Sequence, residues 1–202
     1  MMKANQSIKA TGNEPPRFFG KAGCPRALFL SLCLLKGAPV KLIRIHYLDA
    51  SAIVKLFLPE EGSTALRSYF DKESNFYATS LCFAEALGVL KRFYRKQISD
   101  EQYLAACDEL LAHAAHDRIE LEDVEIKDRT LFIEVEALVR KYRIDVSDAF
   151  QIVSVKKNYF SRFDSDSKPI LITTDKELAA AARNEGIRVW DCVNEPEPNE
   201  LF

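Results

Sequence analysis

From position 41 onward, short runs of β-branched and apolar residues alternate with longer stretches whose apolar residues recur every three or four positions. These are the periods of strands and of helices that face a core. Residues 42–48 (LIRIHYL) predict a first strand, and residues 52–58 predict a helix that Pro59 stops. A second helix is predicted over 62–72, with Ala65, Leu66, Tyr69 and Phe70 in period, followed by a short aromatic strand at 75–78. Thr79 and Ser80 offer the N-cap of a helix over 81–95 that carries Phe83, Leu87 and Leu90 on one stripe. Ser99 and Gln102, at S-x-x-Q spacing, predict a capping box that opens a helix reaching residue 115. A short strand is predicted at 119–121 and a helix at 128–142, with Leu131, Val135, Leu138 and Val139 in period. Ser147 would cap a helix over 148–159. After the polar loop 164–168 come a strand at 170–173, a helix begun at Asp175 and stopped at Gly186, and a last strand at 187–190.

Strands that alternate with helices imply a parallel sheet covered on both faces. A chain of 202 residues suits one such domain and an extension. The extension is expected at residues 1–39, where a turn-rich start with Gly12, Pro15 and Pro16 leads into the apolar run ALFLSLCLL at 27–35. That run is far short of the roughly 20 residues that span a bilayer. It has the length of a signal-peptide apolar region, but no A-x-A site follows it. Translation that begins near Val40 and a disordered added segment are both open readings of residues 1–39. The domain is expected over 40–193, and the Pro- and Glu-rich tail at 194–202 is expected to fray.

The five cysteines are widely spaced with no C-x-x-C, which signals neither a disulfide framework nor a zinc site and fits a cytoplasmic protein with reduced thiols. His46, His113 and His116 are too scattered for a histidine-rich metal centre. A net charge of −2 argues against a protein that coats nucleic acid through bulk positive charge. It leaves room for an enzyme that meets phosphate through local basic residues and a metal ion.

The candidate chemistry is acidic. Asp49 follows the first predicted strand and Asp175 follows ILITT, so both stand at strand ends on one edge of a parallel sheet. Glu85 lies one turn into its helix, between Ala84 and Ala86, and Asp148 lies at the start of another; helices after strands or loops on that edge point back at it. Asp175, Asp148 and Asp128 also sit where acids cap helices without any further role. Glu85 is the more telling residue, because a charge on an apolar helix segment is costly unless it is paired or bound to metal. Asp145 is an alternative or additional member of the set. Acids gathered in one place repel one another, so such a cluster makes sense only with a cation. Oxygen donors without His or Cys select Mg²⁺ or Mn²⁺, which assist phosphodiester hydrolysis by activating water and stabilising charge on the leaving oxygen.

LDAS at Asp49, TSLCFAEAL at Glu85, VSDAFQIVS at Asp148 and LITTDKELAAAARNEGIRVW at Asp175, in that order, resemble the PIN domain, in particular the VapC-like toxins of type II toxin–antitoxin systems. The resemblance implies a three-layer α/β/α sandwich around a parallel sheet and Mg²⁺- or Mn²⁺-dependent cleavage of RNA. It also implies restraint by a cognate antitoxin and a homodimer. Carried over by motif, Asp49, Glu85, Asp148 and Asp175 would be the catalytic metal ligands, with Ser51 and Thr174 lining the site. The chain departs from the family pattern in residues 1–39, in the long stretch between Glu85 and Asp148, and in KKNYFSRFDSDSK at 156–168.

Arg92, Arg95 and Lys96 follow Glu85, with Lys91, Phe93 and Tyr94 interleaved. Lys156, Lys157 and Arg162 follow Asp148, with Tyr159 and Phe160. Basic residues among aromatics suit single-stranded RNA, whose bases stack; a solvated helix face over core aromatics fits each cluster equally. A PIN-like binding module without turnover and a PIN nuclease with a housekeeping role in RNA processing are the rival readings. A dehalogenase-type phosphatase would need an Asp where Ser51 stands, and a receiver domain would need an acidic pair near the first strand.

Overall fold

Strand β1 (His46–Leu48) is buried along its whole length, and its two-residue period divides the interior between the two faces of a sheet. Leu48 joins Phe76, Ala78, Ile170, Ile172 and Trp190 in one core; Tyr47 joins Tyr77, Leu171 and Val189 in the other. The computed structural model describes residues 44–96, 98–124, 127–157 and 169–198, which fall in one compact unit, Leu42–Phe202. The extension expected at 1–39, the polar loop at 164–168, and Tyr159, Phe160 and Arg162 lie outside the described residues.

The other elements follow in chain order. They are α1 (Ala50–Phe57), α2 (Ser63–Lys72), β2 (Phe76–Ala78), α3 (Ser80–Tyr94), α4 (Asp100–Ala115), β3 (Ile119–Leu121), α5 (Arg129–Tyr142), α6 (Val146–Lys157), β4 (Ile170–Thr173), α7 (Lys176–Asn184) and β5 (Arg188–Asp191). The strands form one sheet in the order β3-β2-β1-β4-β5, parallel throughout. Residues of α1 to α4 pack in the Leu48 core, and residues of α5 to α7 pack in the Tyr47 core. The result is the parallel sheet covered on both faces that the alternation implied, and the three-layer α/β/α sandwich that the resemblance implied.

Local chemistry sets the helix starts. The Thr79 hydroxyl accepts from the Cys82 N–H at 3.1 Å, Asp128 accepts from the Thr130 N–H at 2.8 Å, and Ser99 and Gln102 close the expected capping box. Gly62 precedes α2 at φ +81°, and a Cβ there would lie 2.9 Å from the Cys192 carbonyl oxygen. The helix therefore begins at Ser63, one residue later than periodicity suggested. Ser147 is not the cap of α6: the helix begins at Val146, and the Ala149 N–H already donates to the Asp145 carbonyl at 3.0 Å. The described tail is tied at its start, where Asn194 donates to Asp191 at 2.7 Å and the Trp190 indole donates to the Glu195 carbonyl at 3.2 Å. Cys82, Cys107 and Cys192 are free thiols. No helix among the described residues is long and apolar enough to cross a membrane.

His46 in β1 is buried with both ring nitrogens engaged, Nδ1 with the Ser74 carbonyl oxygen at 3.1 Å and Nε2 with the Tyr69 hydroxyl at 2.8 Å. A carbonyl only accepts, so Nδ1 carries the proton and Nε2 accepts from Tyr69. Burial lowers the His46 pKa from 6.5 to about 4, with Arg44 and Arg188 adding to the effect. Between those values the unfolded chain holds the proton and the folded chain does not. His46 therefore withdraws stability as pH falls from 6.5 towards 4, by up to about 3 kcal/mol. Nuclear magnetic resonance of the ring should show a midpoint near 4; a midpoint near 6.5 would contradict the neutral, clamped imidazole.

Candidate functional site

The strand order places β1 at the centre, with the chain leaving it towards β2 on one side and returning to β4 on the other. Such a reversal, outside the carboxyl ends of β1 and β4, is where open α/β sheets bind ligands. Asp49 follows β1 and Asp175 follows β4 at this switch point. Leu48 pairs with Ile172, and the Asp49 N–H donates to the Ile172 carbonyl at 3.0 Å. Helices in parallel crossovers run back against the strands, so α3 and α6 present their first turns at this same edge.

Asp49 is 5% exposed and held from several sides. Its Oδ2 accepts from the Ser51 hydroxyl at 2.6 Å, the Ser51 N–H at 3.2 Å and the Thr173 hydroxyl at 2.9 Å. The Ser51 hydroxyl in turn accepts from the Thr174 N–H at 3.0 Å, and the Thr173 hydroxyl accepts from the Asp175 N–H at 2.9 Å. Two hydroxyls thus clasp the ends of β1 and β4 around one carboxylate. Thr174, named from the sequence, contributes a backbone N–H. Thr173 was not singled out: it sits in the strand run ILIT and gave no signal beyond that of a strand residue.

Asp175 caps α7, and its Oδ1 accepts from the Glu177 N–H at 2.8 Å and the Leu178 N–H at 2.9 Å. Capping leaves its charge available to neighbours. Asp148, in the first turn of α6, has its pKa raised from 3.8 to about 7 by burial and then by Asp49, Asp175, Glu85 and Asp145. Glu85 is raised by partial desolvation and then by Asp49, with Asp145 and Asp175 adding and Arg92 opposing. Asp49 is raised by burial against the pull of its hydroxyl partners. The structure therefore brings Asp49, Glu85, Asp148, Asp175 and Asp145 within one another's fields. Glu85 does so from the exposed face of α3, so the expectation of a charge stranded on an apolar segment is corrected. Cys82 lies beneath, its thiol pushed up to about 12 by burial and by Asp49.

Among the described residues no group of three or more His, Cys, Asp or Glu side chains stands close enough together to hold an ion by itself. That spread does not count against Mg²⁺, which takes one or two carboxylates directly and reaches others through its waters. The donors are all hard oxygens, so their chemistry fits Mg²⁺ or Mn²⁺ and not a thiophilic metal.

The basic residues divide. Arg92 acts on Glu85, and Arg95 and Lys96 are exposed at the end of α3. Lys156 is 2.5 Å from Glu185 and Lys157 is 2.5 Å from Glu134. Both stand eight or nine residues beyond Asp148, roughly 12–14 Å along the helix, so the structure does not bring them to the acids. The interleaved aromatics are also engaged: Phe93 packs against the core, and Tyr94 stacks on Tyr103 at 4.7 Å.

Several known proteins share this architecture. PAE2754 from Pyrobaculum aerophilum is 20% identical with a TM-score of 0.50, over 73% of this chain and 84% of its own. FitAcB from Neisseria gonorrhoeae is 13% identical with a TM-score of 0.50, over 75% of this chain and 100% of its own. At these identities the likeness is one of fold. No curated protein sequence matches the chain. The PIN domain family profile matches residues 46–184, a span that runs from β1 to the end of α7 and takes in every acid of the cluster. The chain belongs to the PIN domain family.

Proposed function

We propose that this protein is an endoribonuclease that depends on Mg²⁺ or Mn²⁺, and that it is the toxin of a toxin–antitoxin pair, a homodimer restrained by a cognate antitoxin. PIN domains are generally nucleases, and RNA, the antitoxin and the dimer come from the likeness to VapC-type toxins. The observation that carries the nuclease reading is the gathering of Asp49, Glu85, Asp145, Asp148 and Asp175 at one edge of the sheet, close enough that burial and the four other acids push the Asp148 carboxyl up to about 7. A fold gains nothing from like charges gathered in this way; a divalent cation relieves them.

Asp49, Glu85, Asp148 and Asp175 would hold the cation, directly or through its waters, with Asp145 at the margin. When bound, the cation supplies an activated water and neutralises charge on the scissile phosphate and the leaving oxygen. Asp49 is the fixed member, since Ser51 and Thr173 hold one of its oxygens and set the direction of the other. Asp175, tied to the N-terminus of α7, is likewise fixed in orientation. Arg92 brings positive charge beside Glu85 and is suited to draw in a phosphate, with Arg95 and Lys96 continuing along α3. Lys156 and Lys157 are committed to their glutamates and are left out of this RNA path.

Purified protein should cut a labelled single-stranded RNA with Mg²⁺ or Mn²⁺, lose activity in chelator, and lose on the order of a thousandfold in rate on Asp49→Asn. Cutting that survives both chelator and the substitution would overturn the assignment.

Stability gives an independent check. The folded pKa of Asp148 lies above its unfolded value of 3.8, so the folded state binds more protons between pH 3.8 and 7 and loses stability as pH rises through that window. Asp148→Asn should therefore stabilise the metal-free protein at pH 8, by roughly 1 kcal/mol once solvent screening of a half-exposed group is allowed for. That corresponds to a rise of about 2–4 °C in Tm, accompanied by loss of cleavage. A lower Tm in the variant would show that Asp148 is structural.

A further inference from the structure

Helix α6 carries a second polar residue that the proposed chemistry has not used. Gln151 lies three residues after Asp148 within a run, Ala149 to Val155, that is buried throughout. It is 1% exposed, and neither its amide nitrogen nor its amide oxygen has a hydrogen-bond partner. Its surroundings on α6 are apolar, with Phe150, Ile152 and Val153 all in the Tyr47 core. Buried amides are nearly always paired, because leaving one unpaired forfeits the hydration it had in the unfolded chain. Other buried polar side chains here are paired: His46 with Tyr69, Ser63 with the Leu58 carbonyl, and Thr173 with Asp49. A leucine at position 151 would fill a similar volume without the unpaired groups, so the fold alone does not account for the glutamine.

Residues three apart on a helix are neighbours on its surface, and helical side chains lean towards the N-terminus. For Gln151 that direction is the turn that holds Asp148. An amide offers two donors and two acceptor sites and stays neutral, so it can orient a carboxylate without adding charge to a crowded site. Groups that orient metal ligands in this way govern affinity nearly as strongly as the ligands themselves.

We propose that Gln151 is a positioning residue of the acidic site: its amide engages the Asp148 carboxylate, directly or across one water, when that carboxylate turns to a divalent cation. This role rests on the metal-site reading above. It is specific to the one buried amide of α6 and is separate from the acids themselves.

The test is calorimetric titration of the full chain with Mn²⁺, for wild type, Gln151→Leu and Gln151→Met, alongside the Tm of each protein without metal. Both variants should be at least as stable as wild type without metal, since each removes the unpaired amide. Both should bind Mn²⁺ about tenfold more weakly, the low end of the range for groups that orient metal ligands. Wild-type binding that both variants retain unchanged would overturn the role of Gln151 and leave the metal site standing. A lower metal-free Tm in both variants would show the amide paired within the fold and would also overturn it. Absence of Mn²⁺ binding by wild type would overturn the metal-site reading, and this role with it.

Discussion

Like-charge repulsion at one edge of a parallel sheet is the constraint around which this protein is arranged. Parallel strands deliver their carboxyl ends to one side, and the strand order reverses there between β1 and β4. To this edge the chain brings Asp49, Glu85, Asp145, Asp148 and Asp175. The carboxyls of Asp49, Glu85 and Asp148 are all held above their ordinary values, first by loss of hydration and, for Glu85 and Asp148, then by the neighbouring acids. A domain selected for stability alone would disperse these residues.

The rest of the fold resists that repulsion. Asp49 stays in place because Ser51 and Thr173 hold it, and those two hydroxyls are themselves fixed by the N–H groups of Thr174 and Asp175. Two apolar cores, one on each face of the sheet, keep β1 and β4 in register beneath the clasp. Asp175 has a double role, since the N–H groups it caps start α7 while its charge reaches Asp148. The cluster is thus built from ordinary structural devices, a helix cap and a strand-end hydroxyl pair, placed where the acids' charges reach one another.

Much of this could be read from the sequence, and the limits have physical causes. Periodicity located β3 and β4 to the residue, because short apolar runs bounded by polar loops admit few alternatives. The first strand was read from residue 42, whereas the described strand begins at His46. Serine is a good cap, so Ser147 predicts a helix from Asp148, yet α6 starts two residues earlier, at Val146, where a backbone carbonyl suffices. Strand ends, helix starts and motif order point to the four acids, and the structure brings their charges together. Thr173 could not be read in this way, because its role depends on pairing between strands over 120 residues apart. Lys156 and Lys157 looked like companions of Asp148 along the sequence; the length of α6 carries them away, to partners on α5 and at the end of α7. Gln151 is the reverse case: apolar neighbours in sequence made it inconspicuous, and only burial shows that its amide is unpaired.

The central claim is that the acids at the carboxyl edge of β1 and β4 form a divalent-cation site. Anomalous X-ray scattering from a crystal grown with Mn²⁺ tests it most directly, since the signal locates the ion without reference to activity. The account predicts a peak among Asp49, Glu85, Asp148 and Asp175. A peak elsewhere on the chain, or no peak at this edge with Mn²⁺ in excess, would contradict it.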